Sequence, residues 1–252
     1  MRIDLNADVG ELDDADGSVV GDDPLIALVS SVNIACGGHA GDAASMRRAV
    51  AAAHANGVAI GAHPSYPDRE GFGRRDMDLS AEALASSIRE QIDALATIVR
   101  DAGATMVHVK PHGALYNRAA VDSELATLIA GAVRACSPDL VLVGLAGGFL
   151  LQAGRTAGTR VAAEAFADRA YEADGTLRNR SLAGALHEDP AVAAAQAVSI
   201  VVDARVTAFD GSQVAVRADT LCLHGDTPVA PLIAAAVRQA LTRAGVEIRS
   251  IG

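Results

Sequence analysis

The chain has 252 residues, half of them apolar and 21% charged, with 21 basic against 31 acidic side chains and a formal net charge of −10. That balance suits one soluble domain with a full core over residues 1–252, and without a basic run it excludes nucleic acid as a partner. No apolar stretch is long enough to span a membrane, and Asp4 and Asp8 stand where a signal peptide needs apolar residues.

In chain order, strands are expected over Arg2–Ala7 and Ser31–Cys36, then a helix over Ala43–Ala55 behind an Asp42 cap. A strand over Val58–Ala62 precedes a helix over Ala81–Ala102, which has a Ser80 cap and Leu84, Ile88, Ile92, Leu95 and Val99 on one face. Next come a strand over Thr105–Val109, a helix over Ser123–Ala135, strands over Leu140–Leu145 and Arg160–Ala165, and a helix over Pro190–Val202. Val206–Phe209 and Gln213–Val216 form a small inserted hairpin around Asp210-Gly211-Ser212. The strand Thr220–Leu223 and the helix Val229–Ala244 complete the set. Seven buried-type strands, each followed by a helix, imply a parallel sheet. The first strand is not followed by Gly-x-Gly-x-x-Gly, so a closed α/β barrel fits better than an open dinucleotide fold.

Four of the seven histidines end strand runs, in Cys36-Gly-Gly-His39, Ala62-His63-Pro64, Lys110-Pro-His112 and Leu223-His224-Gly-Asp226. In a parallel barrel these positions converge on one face. His54, His108 and His187 read as ordinary helix, barrel-interior and loop residues. Lys110 is the one lysine against twenty arginines, at the end of an apolar run, and offers a compact charge able to lose its proton when buried. Asp4, Asn6 and Asp8 share one face of the first strand, with Asp8 nearest the mouth and Glu11 in the following loop. Carboxylates among imidazoles suit either acid/base chemistry or a divalent metal; a metal would draw on Asp8, His39, His63 and His112. Tyr66, Phe72, Tyr116, Phe149, Phe166 and Tyr171 all fall beyond or at strand ends, where pockets use aromatics. The loop Pro64–Arg75, with Arg69, Arg74 and Arg75, has the composition of a lid that orders around an anion, and the loop from Glu164 through Asp168 to Tyr171 is similarly polar. Cys36, Cys136 and Cys222 lack metal-type spacing and read as reduced thiols in a cytoplasm.

The stretches Asp4-Leu-Asn-Ala-Asp-Val-Gly-Glu11, Asn33-Ile-Ala-Cys-Gly-Gly-His-Ala-Gly-Asp42, Gly61-Ala-His-Pro-Ser-Tyr-Pro-Asp68 and Gly71-Phe-Gly-Arg-Arg75 resemble the LamB/YcsF family. So do Val109-Lys-Pro-His-Gly-Ala-Leu-Tyr-Asn117, Glu164-Ala-Phe-Ala-Asp-Arg169 and Cys222-Leu-His-Gly-Asp226, in one order along the whole chain. The resemblance implies a TIM-like (β/α)7 barrel related to sugar-deacetylase barrels. It also implies ATP-dependent conversion of 5-oxo-L-proline to L-glutamate, with ATP as cosubstrate and with 5-oxoprolinase subunits B and C as partners. On that footing Asp8, His39, His63, Lys110 and His112 are the expected catalytic set. Asn6, Glu11, Tyr66, Arg74, Tyr116, Glu164, Asp168 and His224 are the expected substrate contacts. The alternatives are a metal-dependent amide or N-acetyl hydrolase and a non-catalytic regulatory component.

Overall fold

The computed structural model describes residues 1–11, 22–224 and 229–252. Its strands and helices are β1 (Arg2–Val9), α1 (Asp23–Ile26), β2 (Ser31–Ala35), α2 (Ala43–Ala55), β3 (Ala59–His63), α3 (Ala81–Asp101) and β4 (Met106–Val109). They continue as α4 (Gly113–Val121), α5 (Ser123–Cys136), β5 (Val141–Leu145), α6 (Phe149–Thr156), β6 (Arg160–Phe166) and α7 (Pro190–Asp203). The hairpin β7 (Arg205–Thr207) and β8 (Gln213–Ala215), then β9 (Thr220–Leu223), α8 (Ala230–Arg243) and β10 (Glu247–Ile248) complete them. Strands β1 to β6 and β9 pair in parallel, and β9 returns to pair with β1, which closes a seven-stranded barrel. β10 adds two residues beside the start of β1. No helix among the described residues is long and apolar enough to cross a membrane.

Alternation along β1 builds two different layers. Ile3, Leu5, Ala7 and Val9 join the apolar layer between strands and helices, while Asp4, Asn6 and Asp8 turn into the barrel. Asp4 accepts hydrogen bonds there from Ser30, Ser31 and Thr220, so its burial is compensated. Gly61 on β3 leaves room for the His108 imidazole, since a Cβ there would collide with the ring. His108 occupies the barrel interior, with Nε2 2.8 Å from Asn33 Oδ1.

Three helices lie beyond the elements expected from the sequence: α1, α4 and α6. The last two follow His112 and Gly148 at their cap positions, where no side chain accepts from the helix N–H groups, so the usual start signal is missing. Two helices therefore follow β4, joined at Asp122, whose carboxylate caps α5 through the N–H groups of Glu124 and Leu125. After β6 the chain runs through residues 167–189 before its helix begins, which departs from strict strand–helix alternation. Arg169 and residues 176–180 of that segment line a cavity at the C-terminal mouth of the barrel.

Candidate active site

Lys110 follows β4 and turns its side chain into the barrel, 2% exposed. Its Nζ lies 2.9 Å from Asp8 Oδ1 and 3.0 Å from Glu164 Oε1, and donates to Cys222 Sγ at 2.9 Å. Burial by itself would lower the pKa of the ammonium, but the carboxylates of Asp8 and Glu164, with Cys222 Sγ as a further acceptor, more than offset it and hold the pKa well above the ordinary lysine value. Lys110 is thus a fixed cation, which corrects the expectation of a proton-losing lysine. Cys222 stays a thiol, because burial and then Asp8 push it well above its usual range. Burial would also raise Asp8, yet His63 and Lys110 hold its carboxyl well below the carboxylate range. Asp8 Oδ1 accepts from Lys110 and from Asn33 Nδ2 at 2.8 Å, so Oδ2 faces the histidines. Below this pair Asn6 donates to Glu164 at 3.0 Å and to Thr220 at 2.6 Å, bracing the floor.

The wall is built from three imidazoles and Glu11. His63 Nδ1 lies 2.7 Å from the carbonyl oxygen of Lys110, and His112 Nε2 lies 3.0 Å from that of Phe72. A carbonyl only accepts, so both of these nitrogens carry hydrogens. The nitrogens turned inward, His63 Nε2 and His112 Nδ1, are 3.0 Å apart. His39 stacks on His112 with ring centres 3.6 Å apart and planes 2° from parallel. Glu11 Oε1 lies 3.1 Å from His39 Nε2 and 3.2 Å from His112 Nδ1. Burial pushes His39 down to about 4 and lowers His112 as well, so both are neutral at pH 7. The inward nitrogens of His63 and His112 thus face each other beside the carboxylates of Asp8 and Glu11. That arrangement calls for a cation between them, either a shared proton or a metal ion.

Asp8, Glu11, His63 and His112 each offer one ligand atom, all within 4.8 Å of one another. The set fits a divalent metal in donor type, and the backbone carbonyls behind His63 and His112 orient the rings as such ligands require. Glu11 takes the place expected for His39, whose Nε2 is spent on Glu11.

Above floor and wall opens a cavity of about 400 Å³. Asp8, Glu11, His63, Arg74, Lys110, His112, Tyr116 and His224, all expected site residues, line it. Asn6 and Glu164 lie beneath Lys110, and Asp168 sits behind His224. Tyr66, 1% exposed, belongs to the apolar layer and does not line the cavity. The rim also carries Arg169, from the polar loop that runs from Glu164 to Tyr171, together with Arg178 and Arg180 further along the same segment. Burial and the neighbouring Arg180 lower Arg169 to about 10, and its Nη2 donates to the carbonyl of Arg178 at 2.6 Å. The Tyr116 phenol is pushed well above its usual range by burial and Glu164, so it remains protonated.

The Pro64–Arg75 loop differs from the expected three-arginine clamp. Arg69 donates to the Gly41 carbonyl at 2.7 Å, and Arg75 pairs with Asp68 and Glu70, so two arginines brace the loop itself. Phe72 and Gly73 adopt φ of 54° and 63°, a turn that delivers the Phe72 carbonyl to His112. Only Arg74 of the three reaches the cavity, and it also lies over the Phe72 ring at 4.7 Å. Gly225 and Asp226, after His224, lie outside the described residues.

Residues 3–252 match the model of the LamB/YcsF family. Proteins named for the A component of 5-oxoprolinase are similar over nearly their whole length. The one from Chloroflexus aurantiacus is 52% identical over 250 residues, covering 99% of this chain and 98% of that protein. The one from Chloroflexus aggregans is 53% identical over 251 residues, covering 99% of each. The crystal structure of a lactam utilization protein from Thermus thermophilus superposes with a TM-score of 0.92 at 48% identity over 100% of both chains. A putative cellobiose-phosphate cleavage protein from Enterococcus faecalis shares only the fold, at 13% identity and a TM-score of 0.56 over 99% of this chain and 97% of that one.

Proposed function

The chain belongs to the LamB/YcsF family, and we propose that it is the A component of an ATP-dependent 5-oxoprolinase, opening the lactam of 5-oxo-L-proline to give L-glutamate. The observation that carries this is the end-to-end match, at 50–53% identity, to proteins named for that component. The cavity supports it chemically, since a fixed ammonium and an arginine rim suit a small anionic substrate.

A lactam is a poor electrophile because its nitrogen donates into the carbonyl. Phosphorylation of the carbonyl oxygen removes that donation, which accounts for the use of ATP. The sequence contains no Gly-x-x-x-x-Gly-Lys-[Ser/Thr] loop, so we assign phosphorylation to partner subunits B and C in the cytoplasm. This barrel then adds water to the phosphorylated lactam. Asp8 takes the water's proton through Oδ2, while Lys110 and Arg74 hold the phosphoryl and carboxylate oxygens. His63 and His112 steady charge developing at the reacting carbon, with Glu11 and His39 holding His112. Tyr116 and His224 bound the substrate, while Asn6, Glu164 and Asp168 orient the groups that touch it.

Glutamate release by the purified chain tests this, alone and with both partner subunits, with and without ATP. ATP-dependent release only in the full mixture is expected. Robust glutamate formation by the isolated chain without ATP would overturn it.

The facing imidazole nitrogens favour a second reading, a metal-assisted amide hydrolase. Asp8, Glu11, His63 and His112 would hold a divalent ion, which supplies positive charge and a more acidic bound water. Equilibrium dialysis against zinc or manganese decides: one ion per wild-type chain, lost in His63→Ala, supports it, and no binding removes it.

A further inference from the structure

His224 follows the last residue of β9, and β9 and β2 flank β1. His224 therefore stands on the opposite side of Asp8 from His39 and His63. Its Nδ1 lies 3.0 and 3.1 Å from the two oxygens of Asp168, and its backbone N–H donates to the same carboxylate at 2.9 Å. Burial would raise Asp168, but His224 holds its carboxyl below the usual range, so it is an acceptor only. Nδ1 thus carries a hydrogen, and Nε2 is the nitrogen able to exchange a proton with a ligand. Phe166 stacks on the imidazole, 5.5 Å between centres and 19° between planes, which fixes the plane of the ring. Asp8, Cys222 and His224 present atoms within 4.8 Å of one another. Cys222, a neutral thiol that accepts from Lys110, makes this trio a poor metal site. The spacing instead suits one reacting carbon, with a water held by Asp8 and a leaving nitrogen at His224.

We propose that His224 donates the proton to the lactam nitrogen, that Asp168 positions it, and that this donation couples ATP use to ring opening; the proposal rests on the phosphorylated-lactam reading of the site.

With its carbonyl oxygen phosphorylated, the ring carries a carbon–nitrogen double bond. Water's oxygen bonds to the carbon and one of its protons passes to Asp8. The double-bond pair moves to nitrogen, which takes the Nε2 proton of His224. The carbon now bears a hydroxyl, a phosphate oxygen and the ring nitrogen, and two collapses compete. Breaking the carbon–phosphate-oxygen bond expels phosphate and returns the lactam, so ATP is consumed without product. Breaking the carbon–nitrogen bond leaves the pair on nitrogen, which needs a second proton. The hydroxyl proton supplies it, relayed through the now neutral Nε2, and the carbon becomes an acyl phosphate. A second water hydrolyses that to glutamate and phosphate, and the proton on Asp8 returns through solvent to His224. Phosphate is a far better leaving group than an unprotonated amine, so the proton at nitrogen decides the outcome.

The test is the ratio of phosphate to glutamate released by the complex reconstituted with both partner subunits. Wild type should release one phosphate per glutamate. His224→Gln should lose about 10² or more in glutamate formation, the usual contribution of a positioned acid, with a much smaller loss of phosphate release. Its ratio then rises well above one. Asp168→Asn keeps one acceptor oxygen but removes the negative charge behind Nδ1, so it should raise the ratio less and shift the pH profile of coupling. It is read by the same ratio if His224→Gln fails to assemble. A wild-type complex that couples, with variants still at one phosphate per glutamate, overturns this proposal alone. Glutamate formation by wild type without ATP, or none with it, overturns the phosphorylated-lactam reading and this proposal together.

Discussion

Replacing Lys110 with methionine keeps most of the side-chain volume and removes the charge on which the barrel interior depends. Its Nζ lies 2.9 Å from Asp8 and 3.0 Å from Glu164, and none of the three side chains is more than 5% exposed. Removing one partner of a buried ion pair typically costs about 3–5 kcal/mol, because the remaining charge stays desolvated. A protein of this size loses about 2–4 °C of Tm per kcal/mol, so Tm should fall by roughly 6–20 °C at pH 7.5. The pH dependence carries the sign. In the wild type Asp8 is held below its unfolded value of 3.8, so its stabilisation is complete above that value and is lost as pH falls through the folded pKa. In Lys110→Met burial, the largest influence on Asp8, is opposed only by the neighbouring imidazoles, and the expected result is a folded pKa above the unfolded one. Asp8 then opposes folding at neutral pH, and the penalty fades as acid protonates it. Thermal melts of both proteins at pH 7.5 and pH 5 should show the gap narrowing at the lower pH. Adding Glu164→Gln to Lys110→Met should recover part of the loss, since one stranded carboxylate is gone. A Tm within about 2 °C of wild type at pH 7.5, or a gap that widens with acid, would refute the ion-network account.

Asp8→Asn should lower glutamate formation by the reconstituted complex by roughly 10²–10⁴ with the fold retained by circular dichroism; near-native turnover would make Asp8 a structural residue. Lys110→Arg keeps the charge but must fit a planar guanidinium among Asp8, Glu164 and Cys222. Turnover should fall about a hundredfold, as for a misplacement near 1 Å, and kcat within a few-fold of wild type would contradict this. Gly73→Ala would strain a φ of 63° and place a Cβ 2.9 Å from His39 Cβ. Loss of the Phe72 carbonyl from His112 should follow, visible as reduced Tm and activity, and an unchanged enzyme would rule out this role for the turn. Burial holds His39 at about 4 and His108 at about 3, so each binds a proton more readily when unfolded. Stability should therefore fall as pH drops from 6.5 toward 4, and imidazole NMR should show His108 neutral over most of that range and His39 taking up its proton only near pH 4.

The periodicity of the chain was enough to place seven strands and to set the sides of β1, because side-chain alternation in a strand is a local property. Asp4, Asn6 and Asp8 turn inward and Ile3, Leu5 and Ala7 outward, as their spacing demanded. The ends of strands were equally legible: parallel order brings residues after β1, β2, β3, β4 and β9 to one mouth, where Glu11, His39, His63, His112 and His224 meet in two clusters. Helices opening without a capping side chain, α4 and α6, left no local mark. Tyr66, beyond a strand end like the pocket aromatics, was assigned to the wrong layer because a loop residue's direction depends on what packs over it. Only closure of the barrel decided that Lys110 would meet Glu164 and Cys222 as well as Asp8, residues 54, 112 and 102 positions away. That set turns a lysine whose pKa burial alone would lower into a permanent cation. Likewise the backbone carbonyls behind His63 and His112 chose which nitrogens face each other, and Asp168 chose the nitrogen of His224 that faces the cavity. Protonation depends on desolvation and on charges a few ångströms away, and those neighbours exist only once the first strand and the last have paired.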